Sequence, residues 1–466
     1  MTINLKPVIL SGKELLPIIE GGKGIGVSNG YSSGAFAASN AIGTFSGVNA
    51  FSYDQDGNII PVVYKGKTRK ERHDELIAYG IQGGITQARI ARDIAGSSGC
   101  IHMNILWEMG GAEQILHGVL ERVKGIINGI TCGAGMPYRL AEIAAQYQVY
   151  YYPIVSSMRA FRALWKRSYN KFSSLLGAVV YEDPWLAGGH NGLSNNEDPT
   201  QPQDPYLRLL ELRSFMNEVG LNNVPIVMAG GVWYLRELTH WFDNKEIGPV
   251  AFQFGTRPIL TKESSVPDTW KKKLLTLKEG DIFLNRFSPT GFYSSAVHNN
   301  FIQELQERNE RQIDYVTIPD YIYTASLALG PRGRPVYVSP EDKLKAEEWV
   351  SNGYTQAMKT PNSTLIFVTP IKSDEILKDQ IDCMGCLSAC KFSNWADRGD
   401  YNTGRRADPR SFCIQKTLQE IVLNGDVENQ LMFSGHNAYK FATDPFYQNG
   451  FIPTVKQLVD RIASGD

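Results

Sequence analysis

Eight short apolar runs, each ending in glycine or a polar residue, recur along the first 254 residues of the chain. They fall at 17–20, 43–47, 100–106, 129–133, 149–155, 177–182, 224–229 and 250–254. The runs are too short for helices and mostly lack alternation, which suits parallel strands buried on both faces. Helical patterns lie between them, for example at 140–148 and 158–176. This alternation predicts an α/β chain folded as a (β/α)8 TIM barrel. The glycines and polar residues at the strand ends then share the C-terminal face, where such barrels place their active sites.

Two regions break the rhythm. Residues 48–98 separate the second and third runs by more than an ordinary crossover. They carry a hairpin pattern at 52–64, with its turn at Asp56-Gly57-Asn58, and a charged helical pattern at 67–81. A long insertion on that face reads as a lid or substrate wall. After about residue 265 the pattern turns to helices at 271–277, 294–311 and 342–358, with loops between. The expected division is therefore a barrel over 1–285, with the 48–98 insertion, and an extension over 286–466.

Composition excludes some classes. Apolar residues make up 42% of the chain, and 47 basic against 48 acidic side chains give a net charge of −1. That balance leaves no electrostatic footprint for nucleic acid. No run of about 18 apolar residues suits a membrane span. The first residues lack a secretory pattern, so the expected compartment is the cytoplasm, where thiols stay reduced. The expected partner is a small-molecule substrate, with a homo-oligomer left open.

The ends of the seventh and eighth runs, VPIVMAGGV and AFQFGTRPI, form a pair. Loops after those two strands commonly hold a phosphate in barrels. Glycine lets backbone N–H groups approach phosphate oxygens closely. Gly230, Gly231, Gly255 and Thr256 are thus the candidate phosphate cradle, against the plainer reading of tight turns. After the sixth run, AGGHNG sets His190 between glycines, where its titration range suits acid/base work. An isolated loop histidine is more often structural, and His73, His102, His117, His240, His298 and His436 take that reading.

Four of the six cysteines are Cys383, Cys386, Cys390 and Cys413, spaced C-x2-C-x3-C-x22-C. Three close thiolates plus one distant one suit an iron–sulfur cubane. Structural zinc more often takes two separated pairs. Zinc, unligated thiols and a disulfide frame stand as the alternatives. Lys391, Arg405, Arg406 and Arg410 lie nearby in sequence and would form either a positive shell around a cluster or a solvated face. Cys100 and Cys132 fall in strands and read as buried core.

Taken in order, PIIEGGKGIGVS, CIHMNIL, ITCGAGMP, WLAGGHNG, VPIVMAGGV and FQFGTRPILTKES resemble the flavin-dependent nitronate monooxygenase family, which includes flavin-dependent enoyl-acyl-carrier-protein reductases. The likeness spans roughly 15–285. It implies an FMN-binding barrel, with Gly21, Gly22, Lys23 and Asn104 beside the flavin ring. It implies a ribityl phosphate held by Gly189, Gly230, Gly231, Gly255 and Thr256, and His190 as acid or base facing the flavin. Lys23 departs from the apolar residue usual there. CMGCLSAC is similar to the CxGCxxxC motif of flavin barrels related to 2,4-dienoyl-CoA reductase, which implies a 4Fe-4S cluster near FMN.

Two enzymatic readings follow. One is a monooxygenase of the nitronate type, with His190 as acid/base. The other is an NAD(P)H-dependent flavin and iron–sulfur reductase of an enoyl thioester or quinone. A cluster has an evident use only in the second, as a conduit for single electrons. Either way the cysteine segment is expected to fold back over the strand C-termini.

Overall fold

The computed structural model describes residues 5–329 and 334–466. Eight parallel strands close into a barrel. They are β1 Ile18–Glu20, β2 Ile42–Ser46, β3 Cys100–Leu106, β4 Gly129–Gly133, β5 Tyr150–Val155, β6 Val179–Glu182, β7 Ile226–Ala229 and β8 Val250–Phe254. The ring shuts where β6 pairs with β7 and β8 with β1. Each predicted run overlaps one of these strands, the second being displaced by one residue from Ile42–Ser46.

Alternation along each strand sorts the side chains. Ile19, Ile42, Cys100, Tyr152, Val180, Val227 and Ala251 fill the interior. Ile18, Phe45, Ile101, Tyr151, Tyr181 and Phe252 turn outward to the helices. A short hairpin, Val8–Leu10 with Lys13–Leu15, adds Leu10 and Leu15 to the inner cluster. At its turn the Ser11 hydroxyl meets His102 Nε2 and the Tyr152 hydroxyl, both at 2.9 Å. Burial there pushes the His102 ring down to about 3.

The crossovers supply α1 Gly30–Ala38, α2 Arg69–Ala95, α3 Ala112–Arg122, α4 Leu140–Tyr147, α5 Met158–Arg167 and α6 Pro205–Glu218. Half of the 48–98 segment is thus α2, the ordinary β2-to-β3 crossover helix made long. Its first turn is charged and capped by Thr68 and Glu71, which hides its packing role in the sequence. Further along, Gly80, Gly83, Gly84, Ala88 and Ala91 form a buried small-residue face. That face lets the backbone come very close: a β-carbon on Gly83 would collide with the Ala50 carbonyl. The preceding stretch forms only an isolated bridge, Tyr53 to Ile59, around the expected turn.

Short 3-10 turns, Leu235–Trp241 and Arg257–Leu260, follow β7 and β8. Helix α7 follows at Asp268–Leu274. Beyond it, β9 Ile282–Asn285 and β10 Ser294–Val297 pair, and β10 also pairs with Gly189–His190. Residues 294–297 were expected to be helical. Pairing on both edges holds them extended, and Asn299 caps α8 only from Asn300 to Glu310. A three-stranded sheet, β11 Gln312–Asp314, β12 Gln356–Lys359 and β13 Thr364–Val368, carries α9 Pro340–Ser351 and α10 Pro370–Ile381. The expected helix 342–358 stops at Ser351, and Gly353 follows at φ +94°, a left-handed turn that glycine accepts.

The cysteine segment leads into α11 Ile414–Leu423, and the chain ends in α12 Val455–Ala463. On α12, Val455, Leu458, Val459 and Ile462 share one helical face and join the barrel's main core. Burial of such side chains is worth about 1.5–3 kcal/mol each. Thr454 and Gln457 cap the helix reciprocally.

Overpacking of this kind typically costs about 1–3 kcal/mol. Gly83→Ala is therefore expected to lower unfolding free energy by that order in a urea titration, and an unchanged midpoint would show that the Ala50 loop yields freely. The buried His102 gives a second expectation. The unfolded ring binds its proton near 6.5 and the folded one near 3. The unfolded state therefore holds more protons between those values, so stability falls as pH drops through that window, by about 1.4 kcal/mol per unit. His102→Gln should flatten the acid side of the stability curve; parallel curves for both proteins would refute it.

Candidate functional site at the barrel rim

The C-terminal ends of β1 and β3 meet at one side of the rim. Gly21 donates its N–H to Phe254 O at 2.8 Å and lies against the Gly255 backbone. Gly22 packs so tightly on Asn104 that any β-carbon there would collide with it. Asn104 donates to Thr131 O at 3.4 Å and is buried. These three predicted ring-side residues are therefore brought together. Lys23 joins them, but its ammonium turns back. It donates to Gly21 O at 2.5 Å and stands 3.6 Å from Glu20. Ser32 Oγ and Thr44 N–H also donate to Glu20. Burial raises the Glu20 carboxyl and lowers the Lys23 ammonium, while their pairing opposes both shifts.

The other side of the rim is built by the loops after β6, β7 and β8. Gly230 and Gly231 take φ +83° and +74°, which side-chain-bearing residues rarely adopt. The loop after β6 fills the space beside them: added β-carbons would press on Ala187 and Leu186. Asp183 holds that loop in place, accepting from the N–H groups of Trp185 and Leu186 at 2.9 and 2.8 Å. Gly255 faces open space. The amides of Gly231, Gly255 and Thr256 have no acceptor among the described residues outside the strand ladders. Free amides, glycines and open space together fit a phosphate. The neighbouring glycine and asparagine surfaces fit a flat ring system, so the residues present are suited to hold FMN.

His190 sits beyond Gly189 in the short strand that pairs with β10. Its Nε2 lies 2.6 Å from Ser288 Oγ, which in turn lies 2.9 Å from Thr290 Oγ1. Phe433 packs edge-on at 5.4 Å between ring centroids. Burial pushes the imidazole down to about 4, so it is neutral at neutral pH. Ser288, Thr290 and Phe433 all come from beyond residue 285, so the extension forms the histidine's surroundings.

Sequence reading missed several rim groups. Glu182 ends β6, and by alternation with Val180 it turns to the barrel mouth. Burial, and secondarily Asp183, raise its carboxyl to about 8. The acidic pair Glu182-Asp183 at a strand end was the available signal. Ser288 and the 433–437 segment carried none, because they lie over 90 residues away from the loops they touch.

The cysteine segment does lie on this face. Leu387 bridges Met109 just past β3, Gly110 N–H donates to Cys386 O at 3.0 Å, and Ser388 N–H donates to Glu108 O at 2.7 Å. Asn49, just past β2, donates to Gln415 at 2.7 Å. From α2, Arg72 donates to Cys383 O and Ile381 O, and Arg69 to Ser393 O and Tyr401 O. His73 stands 3.3 Å from Asp397, whose carboxyl it holds below the usual range. The long crossover helix is thus a clamp on the cysteine loop.

Cys383, Cys386 and Cys390 are buried in one apolar cluster, and Cys413 packs against it. Cys383 Sγ accepts from the Gly385 N–H at 3.4 Å and from the Ser393 hydroxyl at 3.0 Å. Burial pushes the Cys390 and Cys413 thiols up to about 11 and 12, and raises that of Cys386 well above its ordinary value. Among the described residues, no three His, Cys, Asp or Glu side chains are arranged to hold a metal ion, so the expected metal site is not formed as such. The cysteines carry no disulfide. Of the nearby basic residues, Lys391, Arg405 and Arg406 are exposed, in keeping with the solvated-face alternative, and Arg410 is paired with Asp408 at 2.7 Å.

Comparisons with known proteins agree with this architecture. No helix among the described residues is long and apolar enough to cross a membrane. A search of curated proteins finds no match. The chain is similar in fold to FabK from Thermotoga maritima, at 15% identity and a TM-score of 0.51, over 96% of this chain and 91% of that one. It is also similar to the enoyl reductase domain of MlnA from the macrolactin biosynthesis cluster of Bacillus amyloliquefaciens, at 11% identity and a TM-score of 0.53, over 97% and 93%. The sequence profile of nitronate monooxygenase matches residues 122–462, from α3 through α12. With its closed barrel and a family match over most of its length, the chain belongs to the nitronate monooxygenase family of flavin-dependent oxidoreductases.

Proposed function

We propose that this protein is an FMN- and iron–sulfur-dependent reductase of an electron-poor small molecule, an enoyl thioester or a quinone, with NAD(P)H as electron source. The carrying observation is the placement of the four thiols on the rim that bears the candidate flavin residues. Gln415, two residues past Cys413, accepts from Asn49, and neighbouring Val48 packs beside Gly24 in the candidate ring-side loop. The Gly385 N–H and Ser393 hydroxyl that point at Cys383 Sγ suit a thiolate ligand, whose charge they stabilise. Deprotonation of such buried thiols requires a metal to offset their desolvation.

When bound, FMN supplies two-electron exchange with a substrate, and a four-iron cluster supplies single-electron exchange. The chain's own residues do the rest. Gly21, Gly22 and Asn104 give the ring a close, flat seat. Gly230, Gly231, Gly255 and Thr256 hold the phosphate end. His190, neutral and bonded to Ser288, passes a proton to or from the substrate, and Thr290 extends that relay. Lys23, tied to Glu20, sets the charge beside the ring's seat. The fold similarity to an enoyl reductase domain over nearly the whole chain supports the enoyl reading. The nitronate reading rests on the family's namesake activity, with His190 as the base.

Anaerobically purified protein is expected to show flavin absorbance and about four iron and four sulfide per chain. Cys386→Ala should lose the iron and keep the flavin. Colourless protein would end the flavin reading, and flavin without iron would end the cluster reading. In stopped-flow mixing, NADH or NADPH should bleach the flavin; bleaching by a nitronate alone would reverse the choice between the two activities. His190→Ala should slow turnover by about 100-fold or more. Because the ring titrates at about 4, wild-type turnover should show no acid limb from this residue until pH falls near that value. A limb near 6.5 that vanishes in His190→Ala would contradict the buried, neutral assignment.

A further inference from the structure

The loops after β6, β7 and β8 converge on a turn from the far end of the chain. Gly435 N–H donates to Thr256 Oγ1 at 3.0 Å. The Asn437 side-chain amide donates to Gly231 O at 2.6 Å. His436 N–H donates to Leu186 O at 3.0 Å, and Ser434 N–H to Ser295 O at 3.3 Å. His436 Nε2 meets Ser295 Oγ at 3.0 Å, which fixes the other side of the turn. Gly188 lies so close to Ser434 that a β-carbon would press on its backbone. A β-carbon on Gly435 would come within 3.0 Å of both Thr256 Oγ1 and Leu186 O, so glycine is needed there too.

These bonds have chemical consequences. A threonine hydroxyl that accepts from Gly435 must direct its own O–H elsewhere, as a donor. Asn437 spends one amide hydrogen on Gly231 and retains a second. Ser434 is 2% exposed, and its hydroxyl has no partner among the described residues. An unpaired buried hydroxyl is costly, which points to a partner that the chain itself does not provide.

We propose that the turn 434–437 is the closing wall of the phosphate site, with Ser434 and Thr256 as phosphate donors and Asn437 as a positioning residue that sets Gly231. This rests on the FMN reading above and adds residues from outside the first 285 to it. It also gives the extension a binding role separate from the thiols. The specific ligand chemistry is a phosphate monoester at the end of the ribityl chain, so riboflavin, which lacks it, is the natural control.

Flavin released from the purified full-length protein is titrated back, as FMN or as riboflavin, with fluorescence quenching as the readout. Ser434→Ala should weaken FMN binding by about tenfold, the loss of one hydrogen bond to a charged group, and Asn437→Ala, which releases Gly231, should weaken it by a similar factor. Riboflavin binding and the melting temperature of the flavin-free protein should stay as in wild type. Ser434→Thr, which keeps the hydroxyl, should restore FMN affinity. Equal weakening of both flavins would make the turn merely structural and overturn the proposal, as would unchanged FMN affinity. A wild-type protein that binds the two flavins equally would overturn the phosphate site itself. One that binds neither would overturn the flavin reading and the turn's role with it.

Discussion

The backbone pairing of 386–388 with the loop after β3 is the contact on which the rest of the rim depends. Two hydrogen bonds do the work, Gly110 N–H to Cys386 O and Ser388 N–H to Glu108 O, and together they make the antiparallel Leu387–Met109 bridge. Main-chain bonds of this kind fix position without requiring particular side chains, and exclusion of water strengthens them. They bring a segment remote in sequence onto the C-terminal face of the barrel. Arg69 and Arg72 then satisfy carbonyls of that segment that would otherwise be left bare, including Cys383 O. The length of α2 follows from this duty. Its first turn reaches past the barrel to the cysteine loop, while its glycine face stays in the barrel wall.

Desolvation shifts several ionisable groups of the rim toward their neutral forms. Glu182 is lifted to about 8, His190 is lowered to about 4, and the thiols are raised. Lys23 and Glu20 are paired, and their charges compensate each other. In such a setting a charged cofactor is felt strongly, because little water screens it. A neutral imidazole paired with a serine hydroxyl is also a better proton relay than an imidazolium would be, since it can both accept and donate.

The barrel was legible because its signal is local. Each strand is a short apolar run with glycine or a polar residue at or near its end, so the candidates Gly22, Asn104, Gly231 and Thr256 could be marked without knowing the fold's details. What escaped was long-range. Ser288 meets His190 across 98 positions, and Gly435 meets Thr256 across 179. No periodicity encodes such contacts. Charge also misled the reading of α2, since its solvated first turn drew attention from the glycines that dock it. Proximity in sequence could not decide whether Arg405 and Arg406 shield the thiols or face water, and the structure leaves them in solvent.

The cysteine segment stands between two openings that share no lining residue. A cleft of about 720 Å³ lies between it and the loops after β3 and β4, bounded by Trp107, His117, Arg139, Ser388 and Asp397. A separate cavity of about 240 Å³ reaches Cys413, the one thiol of the four that is not fully buried, from beside α8 and α10. The extension therefore lies between two openings that face different ways. Its grip on the barrel at Met109, Asn49 and Thr256 ties both openings to the same rim.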